Sequence, residues 1–201
     1  MTLPYSQNNP RSTLKITVLK NILLVAVLLC TGVLSAQNPL ITREGTTSFF
    51  SHAPLEDIEA VNDKTTAAID FVKGDVVVKM LIKHFTFKNA LMQEHFNENY
   101  MESEKFPAAI FKGKILTDEA IDLSQDGTYS VRVKGGLTIH GVEQAAEATA
   151  MITVTDGQVT AKTEFIARPA DYDIEIPTVV VRNIAEEIQV TTTLNFSTTK
   201  E

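Results

Sequence analysis

Apolar and polar residues alternate with a period of two along most of the chain after Pro39. From Val76 to Ile82 the even-numbered positions are apolar, and the charged Lys79 falls between two of them. The same alternation recurs over residues 131–139, 146–154, 159–165 and 188–196. Strands with one buried and one solvated face give this pattern, which is typical of antiparallel sheets. The chain is therefore predicted to be all-β.

Glycine-containing turns separate the alternating runs, at Lys73-Gly74-Asp75, Asp126-Gly127, His140-Gly141 and Asp156-Gly157. Asp-Gly between two such runs is a strong hairpin signal, because both residues accept a positive φ. We predict roughly eight strands joined mainly by hairpins, which can close as an up-and-down barrel or stack as a sandwich. The inward positions mix small residues with phenylalanines, which favours a barrel, although small residues also leave room for a packed helix.

One segment interrupts the strands, from about residue 89 to residue 104. Met92, Phe96 and Tyr100 are spaced four residues apart, so on a helix they form one apolar stripe. Pro107 favours a return to extended chain. We predict a short helix, inserted between strands, that covers an end or a side of the barrel.

The polar flank of this helix has three interpretations. Spacings of three and four residues place His95, Glu98 and Glu102 together, which suits a solvated acidic surface, a weak cation site, or a metal-assisted hydrolase that uses His95 and Glu98. A zinc site needs three or four ligands, and neither H-E-x-x-H nor G-x-S-x-G occurs. His140 lies in a hairpin turn and is expected to be solvated. The solvated surface is favoured, so no catalytic residue, metal or cofactor is predicted.

The first 36 residues differ in composition from the rest. Three basic residues precede an apolar run over residues 22–33, and a small residue follows at Ala36. This arrangement predicts a secretory signal peptide cleaved after Ala36, and the run is short for a membrane span. A retained anchor and a lipoprotein acylated at Cys30 are the alternatives. Leu29 disfavours the lipoprotein, since a small residue usually precedes the acylated cysteine.

Cleavage would leave residues 37–201 as a single domain, periplasmic or secreted. The signal peptide contains three of the 18 basic residues and none of the 25 acidic ones, which leaves 15 against 25 and a net charge of −10. Such an acidic domain without a basic stripe is a poor partner for nucleic acid, which we exclude. Cys30 is the single cysteine, so the predicted domain has neither a disulfide nor a reactive thiol.

Three motifs carry a resemblance to a known family. Residues 95–111, HFNENYMESEKFPAAIF, begin a short helix with a histidine and then lead through Lys105-Phe106-Pro107 into a strand. Residues 135–142, GGLTIHGV, and residues 171–174, DYDI, follow in order. Together these motifs resemble the signature of the bacterial YceI-like family.

The resemblance implies an eight-stranded antiparallel, lipocalin-like barrel around a long apolar pocket. It also implies an exported protein, and some members of the family bind polyisoprenoid chains such as isoprenoid quinones. The chain departs from the family pattern in two loops. Residues 143–146, EQAA, stand where the family usually has Thr and then Lys or Arg, and Pro169 interrupts the approach to Asp171. Any polar contact shared by the family at these loops is therefore in doubt.

The residues and the resemblance together predict an exported binding protein, not an enzyme, whose partner is an apolar lipid of isoprenoid type. Each CH₂ removed from water contributes roughly 0.8 kcal/mol, so such a chain needs no charged contact. The predicted cavity lining consists of Phe49, Val78, Met80, Ile82, Met92, Phe96, Tyr100, Phe111, Val133, Leu137, Ile139, Phe165, Val190 and Leu194. A surface module whose core is filled by these side chains is the alternative, and a homodimer is left open.

Overall fold

A computed structural model describes residues 39–197, so the predicted signal peptide and its cleavage site lie outside the described residues. Within that range lie one short helix, α1 (Ala90–His95), which continues as a π-helical turn over Phe96–Tyr100, and two 3₁₀ turns, Ile82–His84 and Pro169–Tyr172. No helix in this range is long and apolar enough to cross a membrane. The strands are β1 (Leu40–His52), β2 (Asp57–Asp70), β3 (Asp75–Leu81), β4 (Thr86–Phe87), β5 (Ala108–Leu116), β6 (Gly127–Ile139), β7 (Val142–Thr155), β8 (Gln158–Ala167) and β9 (Ile188–Ser197).

Eight of these strands close into an antiparallel barrel. Their order around the wall is β1-β9-β8-β7-β6-β5-β3-β2, and β2 returns to pair with β1. The short β4 adds a pairing to β2 at Ala60 and Val61. Neighbours in the wall are almost all consecutive in the chain, and the wall closes on itself, which excludes the sandwich. The predicted up-and-down barrel with one short helix is therefore confirmed.

One end of the barrel interior is filled by packed side chains. Val154, Val159 and Phe196 are at most 2% exposed and belong to one cluster. They lie beside the β7–β8 turn at Asp156-Gly157, where both residues have positive φ, 49° and 72°. This hairpin was predicted from the sequence. We call this region the packed end.

The prediction of a tight turn at Asp126-Gly127 is wrong. Gly127 is the first residue of β6, without a positive φ, and the whole of residues 117–126 connects it to β5. Ile121 and Leu123 of this connection pack against the core, which requires a longer loop than a two-residue turn. The Asp126 carboxylate accepts a hydrogen bond from the backbone N–H of Asp156 at 3.0 Å, which ties the loop to the β7–β8 hairpin.

β5 and β6 approach each other closely at one point of the wall. Gly113 is paired with Gly135 across the two strands. A Cβ at Gly135 would overlap with the carbonyl oxygen of Lys112, which is backbone and cannot move aside cheaply. Glycine in a strand often marks such a close backbone approach.

Candidate functional site

Beyond the packed end, the barrel encloses empty space. The space consists of two adjoining chambers with volumes of about 290 Å³ and about 430 Å³. Met80, Leu137 and Phe165 line both chambers, so the two meet at these side chains. We call the smaller one, beneath α1, the helix chamber, and the larger one, beside β7 and β8, the wall chamber. The interior is therefore not filled throughout.

Helix α1 and its π-helical turn cover the helix chamber. The Asn89 side chain caps the helix, because its carbonyl oxygen accepts hydrogen bonds from the backbone N–H groups of Leu91 and Met92 at 2.9 and 3.4 Å. Met92, Phe96 and Tyr100 all line the chamber. The predicted apolar stripe thus faces the interior and forms a lid.

A cluster of four phenylalanines fastens this lid to the barrel. Phe96 packs against Phe49, Phe85 and Phe87 with ring centroids 5.0–5.8 Å apart. Tilted and edge-on aromatic pairs contribute about 0.5–1.5 kcal/mol each beyond their buried area. The sequence interpretation missed Phe85 and Phe87, which follow a 3₁₀ turn where the alternation breaks. Phe85 and Phe87 are two residues apart, as residues on the same face of an extended chain are, and this spacing could have identified them as inward-facing.

The connection between β8 and β9, residues 168–187, completes the wall of the helix chamber. Ile176 and Val180 of this connection line the chamber. The backbone N–H of Ala185 donates to the Ser51 hydroxyl at 2.9 Å, which holds the connection against β1. Sequence reasoning missed these residues, since a loop without regular structure shows no periodicity.

The polar groups buried in the chamber walls are uncharged, and the charged side chains that border the chambers are exposed or half-buried. Burial raises the pKa of Tyr100 and of Tyr172, so both phenols stay protonated at neutral pH. Thr47, on the wall of the helix chamber, accepts a hydrogen bond from Thr65 at 2.9 Å and lies 3.1 Å from the Thr192 hydroxyl. A charged group inside such a lining would be costly to desolvate. The chambers therefore suit an uncharged, largely apolar ligand.

The predicted flank of His95, Glu98 and Glu102 does not form. The helix ends at Tyr100 rather than at residue 104, and Glu102 has a φ of 41° that turns its side chain to His140, where Oε1 and Nε2 are 3.2 Å apart. Desolvation alone would raise the pKa of Glu102. The hydrogen bond with His140 acts in the opposite direction and contributes to a net pKa below the usual value. His95 lines the helix chamber and Glu98 is exposed. No group of three or more His, Cys, Asp or Glu residues in 39–197 is placed to hold a metal ion.

His140 is not solvated, contrary to the expectation from its turn. Its side chain is 11% exposed, since its ring packs edge-on against Phe106 at 4.4 Å between centroids. Nδ1 lies 3.2 Å from the Tyr172 carbonyl oxygen. Gly141, with a φ of 79°, leaves room for the Phe106 ring, which a Cβ would overlap. The three motifs noted in the sequence therefore meet at His140.

Every residue predicted to line a cavity lies on a chamber wall. In the helix chamber these are Phe49, Met80, Ile82, Met92, Phe96, Tyr100, Leu137, Ile139, Phe165 and Val190. In the wall chamber they are Val78, Met80, Phe111, Val133, Leu137, Phe165 and Leu194. That they contact a ligand stays a prediction.

A closed antiparallel barrel of eight strands, with a helix over one end and an apolar interior, defines a lipocalin-like fold. The chain belongs to the YceI-like family, since the model of the YceI-like domain matches residues 40–196. The resemblance found in the sequence motifs is thereby confirmed. No curated protein matches the chain.

Solved structures show the same fold at low sequence identity. A polyisoprenoid binding domain from Saccharophagus degradans, implicated in plant cell wall breakdown, is 14% identical with a TM-score of 0.65, covering 79% of this chain and 97% of that one. BcnA from Burkholderia cenocepacia is 15% identical with a TM-score of 0.63, covering 76% and 96%. The YceI protein of Campylobacter jejuni is 13% identical with a TM-score of 0.59, covering 74% and 90%.

Proposed function

We propose that this chain is an exported carrier, without catalytic activity, that holds one apolar lipid of isoprenoid type in its two chambers. The observation that carries the proposal is the empty interior. Protein interiors normally pack as densely as organic crystals, so chambers of this volume depart from ordinary core packing. Two adjoining, mainly apolar chambers of about 290 and 430 Å³ are of the size that small-molecule sites occupy.

The shape and polarity of the chambers favour a long, uncharged chain. The chambers adjoin at Met80, Leu137 and Phe165, so one ligand can extend from one chamber into the other. Burial of each CH₂ contributes roughly 0.8 kcal/mol, which makes chain length the main source of affinity. The neutral Tyr100 and Tyr172 offer hydrogen-bonding groups to a ligand hydroxyl or carbonyl. The solved polyisoprenoid binding domain with this fold supports the isoprenoid class.

Export is supported by the composition of the first 36 residues and by the acidic, cysteine-free remainder. A carrier between membranes needs no membrane span of its own. The homodimer that the sequence leaves open stays a prediction.

Mass spectrometry of an organic extract tests the carrier function. The protein is produced with its leader in a Gram-negative host, purified from the periplasm, and extracted with solvent. We expect a near-stoichiometric isoprenoid lipid, and we expect stripped protein to take up all-trans-retinol, a fluorescent isoprenoid alcohol. An extract free of lipid, together with no uptake of retinol, contradicts the proposal.

A further inference from the structure

The pairing between β7 and β8 is shorter than the strands that form it. β7 begins at Val142 and β8 ends at Ala167, but their pairing stops at Ala150 and Thr163. Beyond this pair β7 stays bonded to β6, and β8 stays bonded to β9. The two strands therefore separate, and the barrel wall has a gap, which we call the β7–β8 window.

Hydrogen bonds mark both ends of the window. At one end the Thr163 hydroxyl donates to the Thr149 carbonyl oxygen at 3.0 Å. At the other end the Gln144 side-chain amide donates to the Asp171 carbonyl oxygen at 2.7 Å. Residues 145–148 of β7 lie between these bonds. At about 3.3 Å per residue, the window is roughly 13 Å long.

The wall chamber extends through this window. Its lining includes consecutive residues of both strands, Gln144–Ala148 on β7 and Lys162–Ala167 on β8. Successive side chains of a strand point to opposite faces of the sheet. A space that touches both faces of two neighbouring strands must therefore pass between them. Ala146 and Ala148 are the inward residues of β7 here, and their small side chains leave the passage wide.

Other parts of the chain cover both ends of the barrel. One end is the packed end. The other lies under α1 and the β8–β9 connection, where the backbone N–H of Leu55 donates to the Arg182 carbonyl oxygen at 3.1 Å. A chain entering at either end would have to pass packed side chains or the lid and its neighbouring connection, whereas the window lies between two strands that are not paired with each other there.

We infer that the β7–β8 window is the portal through which the apolar chain of the lipid enters and leaves the chambers. This inference rests on the proposed carrier function. The two basic residues on the rim are already paired within the protein, Lys162 with Glu164 at 2.9 Å and Arg168 with Glu187. Among the residues that line the wall chamber, the rim therefore presents no unpaired basic group to hold an anionic head group, and it suits the passage of an uncharged chain.

A bulky label attached at the window rim tests the portal. Ile166, 51% exposed on β8, is changed to cysteine in a Cys30→Ser background, so that the introduced thiol is the only one. A maleimide-linked polyethylene glycol then covers the window without changing the barrel. Met151→Cys is the matched control, because Met151 is 44% exposed on β7 where the two strands are paired, and it lines neither chamber.

Association and dissociation of all-trans-retinol are measured by stopped-flow fluorescence before and after labelling. An obstacle in the passage raises the barrier in both directions but leaves the bound state unchanged. We therefore expect the label on Ile166→Cys to slow both rates about tenfold or more, with Kd within about twofold, and the label on Met151→Cys to change neither.

The outcomes separate the portal from the carrier function. Normal retinol binding with unchanged rates after labelling of Ile166→Cys overturns the portal alone. A weaker Kd without slower dissociation also overturns it, since the label would then compete for the bound space. If the unlabelled protein binds no retinol, the proposed function fails, and the portal fails with it.

Discussion

Leu137 is the position at which added bulk best distinguishes an open cavity from a packed core. Leu137 is only 4% exposed and lines both chambers, yet it is not part of the packed cluster. Replacing it with tryptophan places an indole where the two chambers meet. Val131, on the same strand and 3% exposed, belongs to the packed cluster and lines neither chamber. Val131→Trp is therefore the matched control.

Leu137→Trp should chiefly weaken binding, whereas Val131→Trp should chiefly lower stability. If the indole of Leu137→Trp excludes one five-carbon unit of the ligand, binding loses about 4 kcal/mol at roughly 0.8 kcal/mol per carbon, or about a thousandfold in Kd. The free energy of unfolding of the ligand-free protein should change little, because the indole enters existing space. Val131→Trp overpacks the core, which typically costs about 1–3 kcal/mol.

Retinol titration and urea unfolding measure the two quantities. The chain contains no tryptophan, so emission from the new indole also reports on its surroundings and should be blue-shifted in Leu137→Trp. The reasoning is refuted if Leu137→Trp loses as much stability as Val131→Trp while the folded protein still binds retinol with the original Kd. That result would mean that Leu137 belongs to a packed core.

Four further outcomes are expected. Gly135→Ala should lower the urea midpoint by an amount equivalent to about 1–3 kcal/mol, because the added Cβ would overlap with backbone atoms. Gly127→Ala is the control and should not lower it, because a Cβ there has only ordinary contacts. Equal effects of the two substitutions would contradict the close approach of β5 and β6. The pKa of the buried Asp70 is lowered chiefly by a hydrogen bond from the backbone N–H of Lys73. The ionised Asp70 therefore stabilises the fold at pH values above the ordinary pKa of 3.8, and this stabilisation is lost as the pH falls below that value. Urea unfolding of Asp70→Asn should show a deficit relative to the unmodified protein at pH 7 that shrinks towards pH 3, and a constant deficit would count against this effect. Chelation with EDTA should leave Tm unchanged, since a bound metal would stabilise the native state by mass action, and a drop would indicate a metal site. N-terminal sequencing of exported protein should begin at Gln37, and a start at Met1 would contradict export.

The alternation of side chains between the two faces of a strand accounts for most of what the sequence could predict. Residues i and i+2 of a strand share a face, so the apolar positions of β3 and β6 could be assigned to the interior without knowledge of their neighbours. The stripe of Met92, Phe96 and Tyr100 was predictable for the same reason, from the period of a helix. The turn at Asp126-Gly127 was not, because packing of the preceding loop against the core overrides the local preference of two residues.

The hydrogen-bonded pair of Glu102 and His140 shows a second limit. The two residues are 38 positions apart, and helical spacing suggested His95 and Glu98 as the neighbours of Glu102 instead. The backbone leaves the helix before Glu102, so the spacing no longer describes where its side chain lies.

The sequence by itself determined the all-β class, the inward faces of the strands and the apolar face of the lid, because these follow from periods of two and about four residues along the chain. Only the tertiary structure decided that the inward faces leave two chambers between them, and that β7 and β8 part beyond Ala150 to open the wall. Both features depend on how far opposing strands curve and separate. That separation is set by contacts between residues distant in sequence, such as Gly113 with Gly135 and Gln144 with Asp171.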